Sequence, residues 1–452
     1  MENNSSRYCK PSREYKIYDM LCIVFLFSLF VMPQYFGVPL PFFDFTLLRV
    51  MIVAMFIMII SNDQMKDDFV SIIISKKYIL VFVPYVIVLT YTMALRADIN
   101  AFLNPMLELI EMVLLVYIIK YRLGIERTLK LIISFMYILA ILGLIEYAMG
   151  KTPFAYLETI KGIYTGAFIR SGQYRIMGPC THSLGYGLLL VAIAPLGCYD
   201  IKKKSIDLFT RPFLLIMVAA NVFLTGSRST LAVFLLELAL VFIFTDRQSK
   251  KKCIFLLAII GIFFVMFLVV FHNSSIGRYF MLQITTLIDS LFGTEYSIAY
   301  GANKQSLTSS SNYREQLKQI FKVPWLNPIL GIGRKRAFSG MENGSYIKSI
   351  DSFYIAEYVR YAYPGLITFC FAIGYYIVKM LKHIKEKSNA LVKCLFIATG
   401  CYMINLKWVD SLQTLKYLYI IFAIFVVIYD DDETTKSYIF RKERHKSKYI
   451  RG

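Results

Sequence analysis

Long runs of apolar residues, separated by short polar segments, dominate the sequence. A transmembrane helix needs roughly 20 mostly apolar residues to cross about 30 Å of hydrocarbon, and runs such as 253–271 and 412–429 approach that length with hardly a charge inside them. Helices that are apolar on all sides cannot be hidden in such number within a soluble domain. The pattern predicts about a dozen spanning helices, at 17–36, 45–60, 78–95, 103–119, 129–149, 182–199, 212–226, 229–245, 253–271, 353–378, 391–409 and 412–429.

Composition points the same way. The chain of 452 residues is 57% hydrophobic and 18% charged, whereas soluble domains average roughly 45–50% apolar and about 25% charged residues. We therefore predict an all-α fold, a polytopic integral membrane bundle of about 12 transmembrane helices.

Basic residues are concentrated on one side of this predicted topology. The N-tail, alternate connections and the C-tail hold about three fifths of the 50 Lys and Arg residues, and such an asymmetry marks the cytoplasmic side. Both termini are therefore predicted to be cytoplasmic. The sequence shows no compact basic domain that would bind nucleic acid, so we expect the basic tail 436–451 to meet anionic lipid headgroups instead.

The same pattern divides the chain into five regions. They are a cytoplasmic N-tail 1–16, helices one to nine over 17–271 with an external loop 150–181, a large extracytoplasmic loop 272–352, three further helices over 353–429, and a basic cytoplasmic tail 430–452.

The large loop contains one predicted helix. Ser309–Asn312 form a plausible N-cap cluster, and Leu317, Ile320 and Phe321 follow at spacings that place them on one helix face. We predict an amphipathic helix over 313–323 that lies on the outer membrane surface. Pro324 ends it.

Arginines stand out among the polar residues outside the predicted helices. Arg170 and Arg175 lie in the first external loop, Arg228 in the polar break Thr225–Ser229 between two helices, and Arg314 in the large loop. A guanidinium is always charged and presents five donors, so it suits a diphosphate at the membrane surface. The alternative for Arg228 is that it extends to lipid phosphates.

His182 and Asp351 each begin a predicted helix. His182 could move a proton or donate to a phosphate, and Asp351 could accept the proton of an attacking sugar hydroxyl. Either residue could instead cap its helix.

Several other polar groups are assigned structural roles. The intramembrane carboxylates of Glu108, Glu111, Glu146 and Glu237 are expected to pair with Arg49 or Lys407, or with polar backbone. The acidic run 430–433 is interpreted as solvated. The turn Gly331–Gly333 lacks the third glycine of a dinucleotide motif. The scattered cysteines imply neither a disulfide framework nor a zinc site.

Together these segments resemble the O-antigen polymerase and ligase superfamily, whose members are bacterial membrane glycosyltransferases. Three patterns carry the resemblance, in order: Arg175-Ile176-Met177-Gly178-Pro179 with Thr181-His182-Ser183; Leu224-Thr225-Gly226-Ser227-Arg228-Ser229; and Asn312-Tyr313-Arg314, Pro328-Ile329-Leu330-Gly331-Ile332-Gly333, Asp351-Ser352-Phe353-Tyr354 and Tyr363-Pro364-Gly365-Leu366. The late position of the large loop also fits.

The resemblance implies an inverting, metal-independent glycosyl transfer, without a cofactor, at the outer face of the bacterial cytoplasmic membrane. Its substrates would be undecaprenyl-diphosphate-linked glycans, as donor and as acceptor. By analogy Arg228 and Arg314 would hold the donor diphosphate, with Arg175 assisting. Arg170, His182 and Tyr313 are further candidates for substrate binding, and Asp351 is the candidate catalytic base.

The family's ligases carry a histidine in place of Asp351, which favours a repeat-unit polymerase of capsular or O-antigen polysaccharide. A ligase, or a lipid-linked oligosaccharide flippase, is the alternative. A chain-length regulator protein is a partner expected from the family.

Overall fold

Each of the twelve predicted apolar segments coincides with a helix in the computed structural model. The structure describes residues 13–40, 44–75, 77–164, 166, 168–170, 173–302, 313, 316–334, 338, 341–342, 345–346, 350–411 and 413–430. The helices of the first half are α1 Arg13–Phe30, α2 Leu47–Ile60, α3 Asp63–Ser75, α4 Lys77–Leu80, α5 Val83–Arg96, α6 Ile99–Tyr117, a π-helical turn Ile118–Leu123 and α7 Gly124–Met149. Those of the second half are α8 Ser183–Gly197, α9 Pro212–Leu224, α10 Arg228–Phe244, α11 Arg247–Phe271, α12 Ser275–Phe292, α13 Phe353–Lys387, α14 Ala390–Asn405 and α15 at 415–430.

Strands and 3-10 turns are short and lie in the connections. The strands pair as four antiparallel two-residue hairpins among the described residues: β1 Gly37–Val38 with β2 Phe45–Thr46, β3 Ile169–Arg170 with β4 Gln173–Tyr174, β5 Tyr199–Asp200 with β6 Ser205–Ile206, and β7 Met341–Glu342 with β8 Ser345–Tyr346. The 3-10 turns are Pro153–Leu157, Tyr296–Tyr300 and Lys318–Lys322.

The predicted class, a helical membrane protein, is confirmed. By length and apolarity, four described helical stretches can cross a membrane, and five can if a pair bent by 114° counts as one span. The four are Tyr78–Arg96, Ile99–Met149, Arg247–Phe271 and Phe353–Lys387. Apolar helices of 10–17 residues, including α8, α9 and α14, fall below that length. The number of a dozen spans and the orientation of the termini therefore stay predictions.

Helix α8 forms the centre of the bundle. All of its residues except the half-buried Leu184 are buried, and it packs against α14 and α10. Helix α11 is peripheral, since Cys253 is its one buried residue among those described. Helices α8, α10 and α13 begin, and α7, α9 and α14 end, at the same end of the bundle, which we call the upper end.

The large loop differs from its prediction in two respects. It contains an 18-residue helix, α12, which we did not predict because its apolar residues alternate with polar ones. The predicted helix over 313–323 appears as helical residues 313 and 316–317 and the 3-10 turn Lys318–Lys322; its cap cluster lies outside the described residues. Its apolar face packs on α13 rather than on a membrane surface, with the rings of Phe321 and Tyr358 4.7 Å apart.

The large loop is hydrogen-bonded to the bundle at a break in α13. Ala362, with φ 57° and ψ −163°, interrupts the helix just before Pro364. The Ile332 and Gly333 amides of the loop donate to the carbonyl oxygens of Val359 and Arg360, at 2.9 and 3.0 Å. A Cβ at Gly331 would overlap the Arg360 carbonyl oxygen, so the close approach of the two backbones requires glycine there.

The loop residue that follows this turn enters the bundle. The Arg334 amide donates to Asp98 Oδ2 at 2.5 Å, and its Nε donates to the Tyr361 hydroxyl at 2.9 Å. Burial opposes the positive charge, but Tyr361, Glu357 and Glu108 together raise the pKa of Arg334 above its usual value. The charged side chain is thereby stabilised between α6 and α13.

Candidate active site

Arg175 lies across the polar break of the second motif. Its Nε donates to the Thr225 carbonyl oxygen at 2.6 Å, and its guanidinium carbon lies 5.1 Å from the centre of the Phe168 ring. Gly226, with φ +60°, leaves room for this contact, since a Cβ there would stand 3.1 Å from the Arg175 side chain. The first and second motifs, far apart in sequence, are thus joined by a buried contact at the upper end.

The carboxylate of Glu146, at the end of α7, holds the first motif in place. It accepts the Met177 and Gly178 amides at 2.7 and 2.9 Å and the Tyr174 hydroxyl at 2.9 Å. We expected Glu146 to pair with Arg49 or Lys407 or with polar backbone, and the backbone alternative is correct. A buried carboxylate is stable here because several donors satisfy it.

Arg228 is the first residue of α10. Ser227 caps this helix, because its hydroxyl accepts the Thr230 amide at 3.3 Å. The half-buried Arg228 extends over the surface, where its Nη1 donates to the Ser290 hydroxyl of α12 at 3.0 Å. The unpredicted helix α12 thus contributes a side chain beside the polar break.

His182 caps α8, and capping is one of the two roles that we predicted for it. Its Nδ1 accepts the Leu184 amide at 3.1 Å, and its ring lies 4.3 Å from that of Phe168. Burial lowers the pKa of the imidazole to about 4, with the Arg175 guanidinium acting in the same direction and the Asp351 carboxylate opposing both. The ring is therefore neutral near pH 7. Because Nδ1 is an acceptor, the proton lies on Nε2, which can donate to a ligand.

Asp351 lies one residue before Ser352, the N-cap of α13. The Phe353 amide donates to the carbonyl oxygens of Leu406 and Val409, both at 3.1 Å, and Asn405 Nδ2 donates to the Thr230 hydroxyl at 3.4 Å. These bonds join the start of α13 to the end of α14 and the start of α10. Asp351 therefore belongs to the same end of the bundle as Arg175, His182 and Arg228.

The electrostatics of this surface favour an anion. Helices α8, α10 and α13 all direct their N-termini to it, and each N-terminus carries the equivalent of about half a positive charge. Helix N-termini bind phosphate groups through their amides, and two guanidinium groups add full charges. We call the surface formed by Arg175, His182, the polar break Thr225–Ser229 and Asp351 the cationic site.

The described part of the structure does not place three of the predicted site residues at the cationic site. Arg314 lies outside the described residues, and so does the side chain of Arg170. Tyr313 packs against the small apolar cluster between the large loop and α13, which includes Leu317 and Tyr358. Their predicted roles at the diphosphate stay predictions.

Polar residues that the sequence did not single out support the site. Ser290, Thr230 and Asn405 are examples, and nothing in their local sequence marks them, since each depends on a neighbour more than 60 residues away. The expected pairing of Glu108 and Glu111 is only partly correct: Arg49 is nearby, but Lys416 rather than Lys407 lines the same cavity.

Comparison with known families bears directly on this surface. Residues 213–370 match the family model described as O-antigen ligase. This segment of the chain is similar to that family. The predicted resemblance to the O-antigen polymerase and ligase superfamily is confirmed. No curated protein is significantly similar to the chain.

The matched region 213–370 includes most of the cationic site. It runs from the start of α9 through the polar break and the large loop into α13, so Arg228, Asp351 and the turn Gly331–Gly333 lie within it. Arg175 and His182 precede it in sequence. Arg175 bonds to Thr225 within the matched region, and both Arg175 and His182 contact the Phe168 ring. The matched region and the preceding loop therefore form one structural unit.

Proposed function

We propose that the protein is a glycosyltransferase that polymerises undecaprenyl-diphosphate-linked oligosaccharide repeat units into capsular or O-antigen polysaccharide. In this proposal the upper end faces the outside of the cytoplasmic membrane. The observation that carries it is the contact of Arg175 with the Arg228-bearing turn, where three helix N-termini converge. That arrangement supplies concentrated positive charge at the edge of an apolar bundle, where the diphosphate of a lipid carrier would lie.

The chemistry follows from this placement. An acceptor hydroxyl oxygen forms a bond to the anomeric carbon of the donor sugar, while the bond from that carbon to the diphosphate oxygen breaks. The electron pair leaves with the diphosphate, and fixed guanidinium groups stabilise the negative charge that develops there. Asp351 accepts the hydroxyl proton, a type of assistance worth about 10²–10⁴ in rate. His182 Nε2 donates to the departing group, and Arg314 is expected to join the diphosphate contacts.

A ligase is the second candidate, and the similarity of residues 213–370 to the O-antigen ligase family favours it. A ligase would use the same donor diphosphate but a final acceptor outside the lipid carrier. The aspartate at position 351, where the family's ligases have histidine, favours the polymerase.

Cells that lack the protein distinguish these activities. The surface-polysaccharide ladder is compared after restoring wild type, Arg228→Ala, Arg228→Lys or, as a control, Arg127→Ala. Arg127 lies at the other end of the bundle in an exposed ion pair with Asp19, with a 3.0 Å contact, and such pairs contribute little. We expect a full ladder from wild type and Arg127→Ala, and single repeat units outside the cell from both Arg228 variants, at unchanged protein levels.

Other outcomes identify the alternatives. Long chains that accumulate on the lipid carrier without reaching a final acceptor would identify a ligase. Lipid-linked single repeats that stay on the cytoplasmic face would identify a flippase. A full ladder from Arg228→Ala would contradict the diphosphate role of Arg228.

A further inference from the structure

A polar cavity opens at the upper end of the bundle, and none of its lining residues belongs to the cationic site. It lies between the end of α1, the starts of α2 and α15, and the first half of α6, and has a volume of about 60 Å³. A water molecule needs about 10–15 Å³ of such space, so the cavity has room for roughly four to six waters. One sugar ring displaces a similar amount of water.

Charged and amide side chains line this polar cavity. Glu111 and Lys416 are 5% and 4% exposed, and Asn104, Gln34 and Gln413 complete its polar wall. Glu111 Oε2 is buried and has no hydrogen-bond partner among the described residues. A buried carboxylate oxygen without a donor is costly, so the cavity is built to receive a donor from a ligand or from water.

The cavity is lined by equal numbers of acidic and basic side chains. Arg49 and Lys416 are opposed by Glu108 and Glu111, all four lining the same space, and Arg49 Nη2 also donates to Asn104 Oδ1 at 2.9 Å. A diphosphate would require a net positive charge, as at the cationic site. A balanced set of carboxylate, ammonium and amide groups instead offers donors and acceptors to a neutral, hydroxyl-rich ligand.

The backbone at the mouth of the cavity is held in an uncommon conformation. Gln413 has φ +61°, which is rare for a residue other than glycine, and Gln34 Nε2 donates to its carbonyl oxygen at 3.3 Å. Residues in such rare backbone conformations cluster at ligand sites, where the surrounding structure maintains them.

The cavity and the cationic site are neighbours. Lys416 is close enough to Cys180, two residues before His182, for its charge to oppose the burial that raises the pKa of the Cys180 thiol to about 12. Residues 406–411 begin at the start of α13, beside Asp351, and Gln413 after them lines the cavity. A glycan that enters the cavity would therefore extend toward Asp351.

We propose that the polar cavity binds a sugar ring of the acceptor glycan, with Glu111, Gln413 and Lys416 as its contacts to the sugar hydroxyls. This inference rests on the proposed transferase function and adds a second subsite to it. The donor diphosphate binds at Arg175 and Arg228, and the acceptor sugar binds at the polar cavity, so that the attacking hydroxyl of the acceptor is presented to Asp351.

Two binding measurements on the full-length protein in nanodiscs test this proposal. One probe is undecaprenyl diphosphate. The other is the free repeat-unit oligosaccharide, released by mild acid from the lipid of cells that lack the protein and followed by saturation-transfer NMR. The variants are Glu111→Gln, which keeps the shape, and Gln413→Gly, which keeps the backbone conformation. Ser388→Gly is the control, since it also has positive φ but lies at the opposite end of the bundle.

We expect Glu111→Gln and Gln413→Gly each to weaken oligosaccharide binding at least tenfold and to change undecaprenyl diphosphate binding less than twofold. Arg228→Ala should do the reverse, and Ser388→Gly should match wild type. Wild-type oligosaccharide binding in both cavity variants, or no binding by wild type, would overturn the acceptor subsite and leave the cavity as a water site. If Arg228→Ala binds undecaprenyl diphosphate like wild type, the proposed function fails instead.

Discussion

The Arg175 guanidinium donates through Nε to the carbonyl oxygen of Thr225 at 2.6 Å. This bond joins two segments that are 50 residues apart, and it orients the Arg175 side chain between the Phe168 ring and Gly226. Because the Thr225 carbonyl precedes the turn that carries Arg228, the bond also determines how the two cations are placed relative to each other.

Replacing Arg175 by lysine should therefore reduce activity while the charge remains. A lysine cannot reproduce the directed Nε contact and the stacking of a planar guanidinium, so we expect at least a tenfold loss of polymer at unchanged protein level. Arg175→Met, which also removes the charge, should lose more. The measurement is the amount and length of polysaccharide in complemented null cells, and equal ladders for wild type and lysine would contradict the role of the guanidinium.

Replacing Asp351 by asparagine should remove the base and keep the site. We expect the rate of chain growth on purified lipid-linked repeats to fall by about 10²–10⁴, with undecaprenyl diphosphate binding unchanged. Asp351→Glu should recover part of the rate because it restores the carboxylate. If asparagine leaves the rate unchanged, another group accepts the proton.

Replacing Glu146 by glutamine should loosen the first external loop. The side-chain NH2 would replace one of the two oxygens and face the Met177 or the Gly178 amide, donor against donor, so we expect a loss of about 3 kcal/mol and faster proteolysis within 150–181. The matched control is Glu126→Gln on the same helix, where the carboxylate is exposed and bonds Lys130 at 2.6 Å, and it should leave both measurements unchanged. Equal proteolysis of the two variants would argue against the anchoring role of Glu146.

Glycine-to-alanine substitutions test the contact between the large loop and the break in α13. Gly331→Ala introduces a Cβ against the Arg360 carbonyl and should cost about 1–3 kcal/mol, lowering the thermal midpoint in detergent. The control is Gly374→Ala, which lies in α13 itself and has open space at its Cβ. It should leave the midpoint unchanged or raise it slightly. A loss at Gly374 as large as at Gly331 would contradict the steric explanation.

Stability should fall in acid partly because of His182. Its folded pKa of about 4 lies below the ordinary value of 6.5, so between these pH values the unfolded chain binds a proton that the folded chain does not. The free energy of unfolding therefore decreases as pH falls from 6.5 toward 4, by about 2 kcal/mol at pH 5. Asparagine also caps helices but does not titrate. His182→Asn should thus lose less thermal stability between pH 7 and pH 5 than wild type, and an equal loss would contradict the assignment.

The positions of the helices could be predicted because run length and apolarity act locally. Segments such as 212–226 and 253–271 coincide with α9 and α11, and residues at helix starts, such as Ser227 and His182, act as caps. The helix α12 was missed because it contains no long continuous apolar run, since its apolar residues are interspersed with polar ones. The helix predicted over 313–323 was placed on a membrane surface because its apolar face was visible in the sequence, whereas the packing of that face against α13 was not.

The sequence alone determined the membrane class, the order of the helices, the resemblance to the polymerase and ligase superfamily, and Arg175, Arg228, His182 and Asp351 as candidates. Only the tertiary structure decided which of these share a surface, that Glu146 holds the first motif, and that Glu111 and Lys416 line a cavity with Gln34. The physical reason is that apolar periodicity specifies which face of a helix is buried. The partner of a buried polar group is chosen by packing between segments as distant as Asp98 and Arg334.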